Sequence, residues 1–406
     1  MTRSQSEKHQ VGKLSESSKI LFYLADSGSD QVDGPIVNAI NVAQSVSDNS
    51  IPAVFVFNGS NKIFNRLQAT GADVRRADFP ISSRRTHLNP FYRRKYSRIV
   101  GEFLESNGIS IVHMFPRATY LMHYIASQNV SRVVEQHYAS PNPKPLGLFD
   151  GGFSLNPRVL ASAWYRKYVR LNYRPADLVI SHGEGQRSAS TTVFGVPSER
   201  TTIVTPGIPC QKHKSESGKL RQELGLDGTQ KIVVSLGRIT RAKGVEEFGE
   251  IASIVSKRRS DISFVFVGAG TNREYEKRIV NRYGEFVTFL GHRDDVPDIL
   301  EDSDLYLHPS HREGLPLSII ESMEFELPAL AWDIPGCNEL IRDGENGILR
   351  DFGDIEGMAE SVMRLVSDPA KVVDMGSAAR KKFASTYDIA QFAPRLIQAY
   401  QSVNLS

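Results

Sequence analysis

The segment HPSHREGLPLSIIESMEFELPAL, residues 308–330, carries two carboxylates, Glu313 and Glu321, on either side of a change from loop to helix chemistry. LYLHPS ahead of it reads as a strand, HREG as a turn and LPLSIIESMEFE as a helix. Pro316 suits the first turn of that helix, where a preset φ and a missing donor are tolerated. Glu313 then belongs to the loop and Glu321 to the helix. A helix start offers unpaired N–H groups and the positive end of a dipole, so Gly314, Leu315 and Pro316 make a place for a phosphate or for sugar oxygens. Gly314 admits a ligand close to the backbone. An ionised Glu321 can hold two neighbouring hydroxyls at once, as acidic residues do with ribose. The bland alternative is that Glu321 only complements the helix dipole and Glu313 is a solvated loop charge.

A second constellation is SLGRITRAKG, residues 235–244, where a strand ends at Gly237 and Arg238, and Lys243 and Gly244 lead into the helix VEEFGEIASIV. Arg238 can grip phosphate oxygens with its planar fork, while Lys243 supplies a flexible point charge. Cations at such a strand end would converge on an anion held at the Glu313 loop. Read otherwise, they are surface cations on a turn.

The elements that must position these residues alternate along the chain. Strand runs in the first half are ILFYLA (20–25), AVFVFN (53–58), ISIVHMF (109–115), RVVEQH (132–137), ADLVISH (176–182) and TTIVTPG (201–207). The second half restarts with KIVVSLGR (231–238) and continues through ISFVFVG (262–268), FVTFLG (286–291), DLYLHPS (304–310) and PALAWD (328–333). Longer segments of mixed polarity separate them, the pattern of a parallel sheet crossed over by helices. The polar stretch GIPCQKHKSESGKLRQELGLDGTQ between the halves reads as a linker followed by a short helix. The expectation is α/β: two doubly wound, Rossmann-like domains facing across a cleft, with the loops that follow strands pointing into it.

Composition limits the alternatives. The chain has 406 residues, 40% of them hydrophobic, and a formal net charge of +3, too small to announce a nucleic-acid binder. Cys210 and Cys337 lie far apart without metal-ligand spacing, so a reducing cytoplasm is expected rather than a disulfide framework. The polar start MTRSQSEKHQVGKLSESSK lacks the apolar core of a signal peptide, and no run is long enough to span a bilayer, so any membrane attachment is expected to be peripheral.

Taken in order, GR…KG, EGLPLSIIESM and ELIRDGENGILRDFGD, continuing into AESVMRLVSDPAKVVDMGSAARKKF, resemble the retaining glycosyltransferases of the GT-B type, family 4. The first half resembles them more loosely, through IVHMF, VVEQHY, ADLVISHGEGQRS and TTIVTPGI. The resemblance implies an acceptor-binding domain over residues 1–208, a nucleotide-sugar-binding domain over 209–385, and a C-terminal helix in 386–406 that returns to the first domain. It implies retention at the anomeric carbon. Carried over by motif, Arg238 and Lys243 match the pair on the donor diphosphate, Glu321 the residue on the ribose hydroxyls, and Glu313 the carboxylate beside the donor sugar. Gly314, Leu315 and Pro316 match backbone contacts, and His137 the histidine at the donor sugar and acceptor. Gly34 stands in a loop, QVDGPIV, where the family usually has paired glycines, and Gly268 in the loop near the nucleotide. The family glycine before the strand PALAWD is replaced by Glu326.

Two other signals are discounted. Asp302-Ser303-Asp304 spells the DxD of metal-dependent transferases but precedes its strand, at the end away from the active loop; no metal and no cofactor are expected. The GxG of VGAGTNREYEKRI lacks the third glycine of a dinucleotide fingerprint. A third feature is RRTHLNPFYRRKYSR, residues 84–98, where Arg84, Arg85, Arg93, Arg94, Lys95 and Arg98 surround Phe91, Tyr92 and Tyr96 with no acidic residue; WYRKYVRLNYR (164–174) is similar. Such segments can lie on anionic lipid, or be helix faces whose aromatics enter the core. The resulting expectation is a cytoplasmic transferase, peripheral at the inner face of the membrane, moving a sugar from a nucleotide-diphosphate sugar to a saccharide or lipid-linked saccharide in cell-surface polysaccharide or glycoconjugate synthesis. The alternatives are a catalytically silent, glycosyltransferase-like binding or scaffold protein, and an epimerase or phosphorylase on a related fold.

Overall fold

A computed structural model describes residues 18–24, 34–79, 90–115, 121–125, 128–136, 176–192, 194–211, 217–270 and 272–402. The first sheet contains β1 (Lys19–Leu24), β2 (Ala53–Phe57), β3 (Val74–Arg75), β4 (Ile109–Met114), β5 (Ser131–Gln136), β6 (Leu178–Ser181) and β7 (Thr201–Ile203), in the order β3-β2-β1-β4-β5-β6-β7. The second contains β8 (Lys231–Leu236), β9 (Ile262–Val267), β10 (Val287–Gly291), β11 (Leu305–His308), β12 (Ala329–Trp332) and β13 (Gly347–Arg350), in the order β10-β9-β8-β11-β12-β13. All strand pairs are parallel, with registers such as Ile20 opposite Ala53 and Leu305 opposite Val233. The α/β, two-sheet expectation holds.

Alternate residues of these strands feed opposite faces, and both faces are covered. On β1, Ile20, Phe22 and Leu24 enter one core with the helix Gly34–Asp48, while Leu21 and Tyr23 enter another with the helix Pro90–Ser106. That double burial is why the runs read as continuously apolar. Every run read as a strand is one. β3 and β13 carry no such pattern: VR is too short, and GILR starts on glycine and ends on a charge.

The chain order turns back beside β1 and again beside β8, so each half has a crevice at the carboxyl ends of its central strands. After the second sheet the chain returns: the helix Phe392–Gln401 places Phe392, Leu396, Ala399 and Tyr400 in the first core. The Tyr400 hydroxyl lies 2.7 Å from His113 Nδ1 on β4. Next to it, Ile208 N–H donates to the Tyr387 carbonyl at 2.8 Å and Ile389 N–H to the Ile208 carbonyl at 3.1 Å, tying the two connections between the halves together.

Candidate active site

The candidate residues gather where β8 and β11 lie side by side. β8 continues through Gly237 and the exposed Arg238 into a short turn, Arg241–Lys243, and then the helix Val245–Ser256. Gly244 between turn and helix is left-handed at φ +65°, and a Cβ there would sit 1.8 Å from the Pro309 carbonyl oxygen. Glycine is what lets the Lys243 loop lie against the loop that follows β11. Across the same seam His311 N–H donates to the Ala242 carbonyl at 3.0 Å, and His311 Nε2 lies 2.6 Å from Glu247 Oε1. On the far side the Trp332 indole of β12 donates to the Pro309 carbonyl at 3.0 Å.

These ties bring Lys243 Nζ to 2.7 Å from Glu313 Oε1. β11 reaches the same oxygen from the strand end: His308 Nε2 is 3.0 Å away, and the Tyr306 hydroxyl lies 3.4 Å from His308 Nδ1. Glu313 is only 9% exposed. Burial acts to raise its pKa, but Lys243 and the hydrogen bond and charge at His308 outweigh it and hold the carboxyl well below the usual carboxylate range. For His308 burial is the larger influence and lowers its pKa, which favours the neutral ring. Sequence reasoning gave Lys243 and Glu313 separate partners, whereas the structure pairs them with each other. It also missed His308, although Tyr306 and His308 share one face of a strand whose period of two was legible.

Glu321 stands on the helix Leu317–Glu324, partly buried, and forms no hydrogen bond with the described residues. Burial first, and the charge of Glu324 second, push its carboxyl up to about 7. Glu324 is buried and accepts from Gln211 N–H in the connection between the halves. Pro316 does not occupy the first turn as expected. It caps the helix from outside with an extended backbone, φ −72° and ψ 105°, so the first helical amide is that of Leu317. Among the described residues the amides of Gly314, Leu315 and Leu317 have no acceptor. Gly336 presses on this loop, for a Cβ there would meet the Gly314 carbonyl oxygen at 2.6 Å.

The other carried-over positions divide. His137 and the segment 164–174 lie outside the described residues. Gly34 opens the helix Gly34–Asp48. Gly268 has φ +135°, and a Cβ on it would meet the Gly237 carbonyl oxygen at 1.9 Å, so packing against the β8 loop already demands glycine there. Glu326 adopts φ +59°, the left-handed turn that a glycine would take more cheaply. The discounted aspartates serve the fold: Asp302 accepts from Leu220 N–H at 2.7 Å at the start of the helix Lys219–Leu224, and Asp304 holds Arg221 at 2.9 Å and Lys231 at 2.8 Å.

A residue the sequence did not single out joins the two halves. The Glu339 carboxylate accepts from Glu184 N–H at 2.6 Å and Gly185 N–H at 2.9 Å, at the start of the helix Glu184–Thr192 in the first half. Glu339 follows Gly336 in the chain, so the loop that presses on Gly314 is also anchored to the opposite domain.

In the basic segment, the helix Pro90–Ser106 leaves Phe91 85% and Tyr92 45% exposed beside exposed Arg94, Lys95 and Arg98. Tyr96 instead packs edge-on against the buried Tyr124, with ring centres 5.9 Å apart. The aromatics therefore split between surface and core. No helix among the described residues is long and apolar enough to cross a membrane.

A protein-family model described as glycosyl transferases group 1 matches residues 216–382, the stretch that holds Arg238, Lys243, Glu313 and Glu321. Curated relatives match the chain over differing lengths. Alpha-D-kanosaminyltransferase of Streptomyces kanamyceticus is 31% identical over 196 residues, covering 47% of this chain and 50% of that protein. UDP-Gal:alpha-D-GlcNAc-diphosphoundecaprenol alpha-1,3-galactosyltransferase of Escherichia coli is 26% identical over 253 residues, 58% of this chain and 65% of that protein. The chain thus spans about half to two thirds of the length of these relatives. Among solved structures, HepE of Anabaena in complex with UDP superposes over 95% of this chain and 100% of its own, with a TM-score of 0.74 at 20% identity. The two sheets and their helices therefore form the two-domain GT-B fold.

Proposed function

We propose that the chain is a retaining glycosyltransferase that takes a sugar from a nucleotide-diphosphate donor and passes it to a saccharide or lipid-linked saccharide. The observation that carries this reading is the Lys243–Glu313–His308 cluster beside the free amides of Gly314, Leu315 and Leu317, set in a group 1 domain. Arg238 and Lys243 take the diphosphate, and the helix-start amides add donors to it. Glu321 takes the ribose hydroxyls. Glu313 lies beside the sugar, where its charge balances the positive character that develops on the ring as the anomeric bond breaks. Leaving and attack on one face of the sugar, within one cleft, is the route to retention that fits a single carboxylate there. A double-displacement glycosidase mechanism needs a second carboxylate about 5 Å away as its partner, and Glu321 is assigned to ribose.

A uracil nucleotide is favoured as donor base because the HepE structure holds UDP. An acceptor on a lipid diphosphate fits both the Escherichia coli relative's name and the exposed Phe91, Tyr92, Arg94 and Lys95 of the first domain, which suit the anionic inner face of a membrane and a cytoplasmic enzyme peripheral to it. No metal or cofactor is assigned a role. The reading is tested by thermal shift with a panel of nucleotide sugars: a ligand at about a hundredfold above its dissociation constant adds about 2.7 kcal/mol of stability. Stabilisation by UDP-sugars is expected, and no shift with any nucleotide sugar would overturn the reading.

A further inference from the structure

Glu313 Oε1 receives two donors, while Oε2 has no partner among the described residues. The two donors differ in kind. Lys243 Nζ sits on a flexible, partly exposed side chain, and any phosphate entering the crevice competes for it. His308 is buried on β11 and cannot follow. Its ring lies against the buried Tyr306, with centres 5.9 Å apart and planes 21° from parallel.

The tautomer of His308 follows from its neighbours. An ionised carboxylate only accepts, so Nε2 must carry the hydrogen that lies toward Glu313. In a neutral ring Nδ1 is then bare and faces the Tyr306 hydroxyl at 3.4 Å, whose one hydrogen is shared between this nitrogen and the Leu236 carbonyl, also 3.4 Å away. Burial raises the Tyr306 pKa far above its ordinary value, which keeps that hydroxyl protonated. The Leu236 amide at the end of β8 donates to the same oxygen at 3.4 Å. A chain of hydrogen bonds thus runs from the strand end that leads to Arg238, through Tyr306 and His308, to the carboxylate.

We propose that His308 is a positioning residue, resting on the reading of Glu313 above: it keeps Oε1 anchored when a diphosphate draws Lys243 away, so that Oε2 stays presented to the sugar. Tyr306 acts one step behind by stacking on the ring and facing its Nδ1. Lys243 serves in turn as the counter-ion of Glu313 before the donor arrives and of the diphosphate afterwards. Among the described residues the groups facing Glu313 are Lys243 from the loop before the helix Val245–Ser256, His308 and Tyr306 from β11, and Cys337 just after Gly336. Among the described residues only Lys243 and His308 donate to it.

The test follows the Glu313 carboxyl by carbon NMR as pH is varied, with and without UDP, in the chain, in His308→Leu and in His308→Gln. Removing the histidine donor is expected to raise the Glu313 pKa by about one to two units, most in the presence of UDP. The Gln amide, which can place an N–H near Nε2, is expected to restore much of the original value. With a UDP-sugar the panel identifies, His308→Leu is expected to lower kcat about 10- to 100-fold, the usual loss when a group that orients a working residue is removed. Its Kd for UDP should stay within about twofold, because the nucleotide does not touch it. An unmoved Glu313 titration in His308→Leu, or a Gln variant indistinguishable from Leu, overturns the proposal. Unchanged turnover in Glu313→Gln would instead overturn the role given to Glu313, which separates the two failures.

Discussion

Glu313 and Glu321 lie on one loop and the helix that follows it, the first buried and the second partly buried, yet their protonation is pushed in opposite directions. Glu313 has two donors on a single oxygen and is held well below the ordinary carboxylate range. Glu321 has no hydrogen-bond donor among the described residues and the charge of Glu324 nearby, and burial carries it up to about 7. Burial penalises charge in both, and what differs is whether the fold supplies compensation. One carboxylate is charged before a ligand arrives. On the proposed assignment the other becomes fully charged when the ribose brings the hydroxyls that the described residues do not provide.

That contrast is broken most severely at the cations. Lys243→Ala removes the counter-ion of Glu313 and, on the proposed assignment, a diphosphate contact, whereas Arg238→Ala removes the proposed diphosphate contact alone. Each is expected to lower turnover by about two to three orders of magnitude with the fold retained, the scale of losing a preorganised charge stabiliser. The two should differ in the titration of Glu313, which rises in Lys243→Ala and stays put in Arg238→Ala. Near-normal turnover in both variants would remove the site from this crevice.

The Glu321 side of the comparison is sharpened by pH. Free Glu321 loses its proton around pH 7, whereas ribose hydroxyls favour the ionised form, so the bound state holds fewer protons. Affinity for UDP should therefore rise as pH increases through about 7 and then level off. Glu321→Gln should lose this rise while keeping the part due to the diphosphate itself, so the difference between the two calorimetric profiles isolates the residue. The same raised pKa works against folding as pH increases from the ordinary value of 4.5 through about 7, because the folded state then binds more protons than the unfolded one. Identical pH profiles for chain and variant would contradict the assignment.

Smallest is the effect expected on the surface of the first domain. Vesicles containing anionic lipid should bind the protein at low salt and release it as salt rises. Replacing Arg94 and Lys95 by serine should weaken that binding, and replacing Phe91 should weaken what remains at high salt. Vesicles that leave the protein in solution whatever their charge would refute the membrane reading without touching the donor site.

The sequence made the strand runs, the two-sheet fold and the loop-then-helix placement of the glutamates legible, because parallel strands buried on both faces must be apolar throughout. What it hid depends on packing between distant segments. That Lys243 and Glu313 share an oxygen follows from Gly244 lying against Pro309, and Glu339 reaches Glu184 and Gly185 only once both halves are folded. His308 was hidden for another reason: a histidine inside an apolar strand looks like core until its neighbours are known. Pro316 moved by one position, from first turn to cap, because both places tolerate a missing donor and sequence does not choose between them.

The division of labour between the two glutamates is tested most directly by calorimetry with UDP on Glu313→Gln and Glu321→Gln, read alongside initial rates with a UDP-sugar. Glu321→Gln should bind UDP about 10- to 100-fold more weakly above pH 7, the size of a lost hydrogen-bonding charge. Glu313→Gln should bind UDP almost unchanged while its turnover number collapses, since its partner is the sugar. Equal losses of UDP affinity in the two variants would contradict the account, for Glu313 would then be holding the nucleotide or the loop and not the sugar.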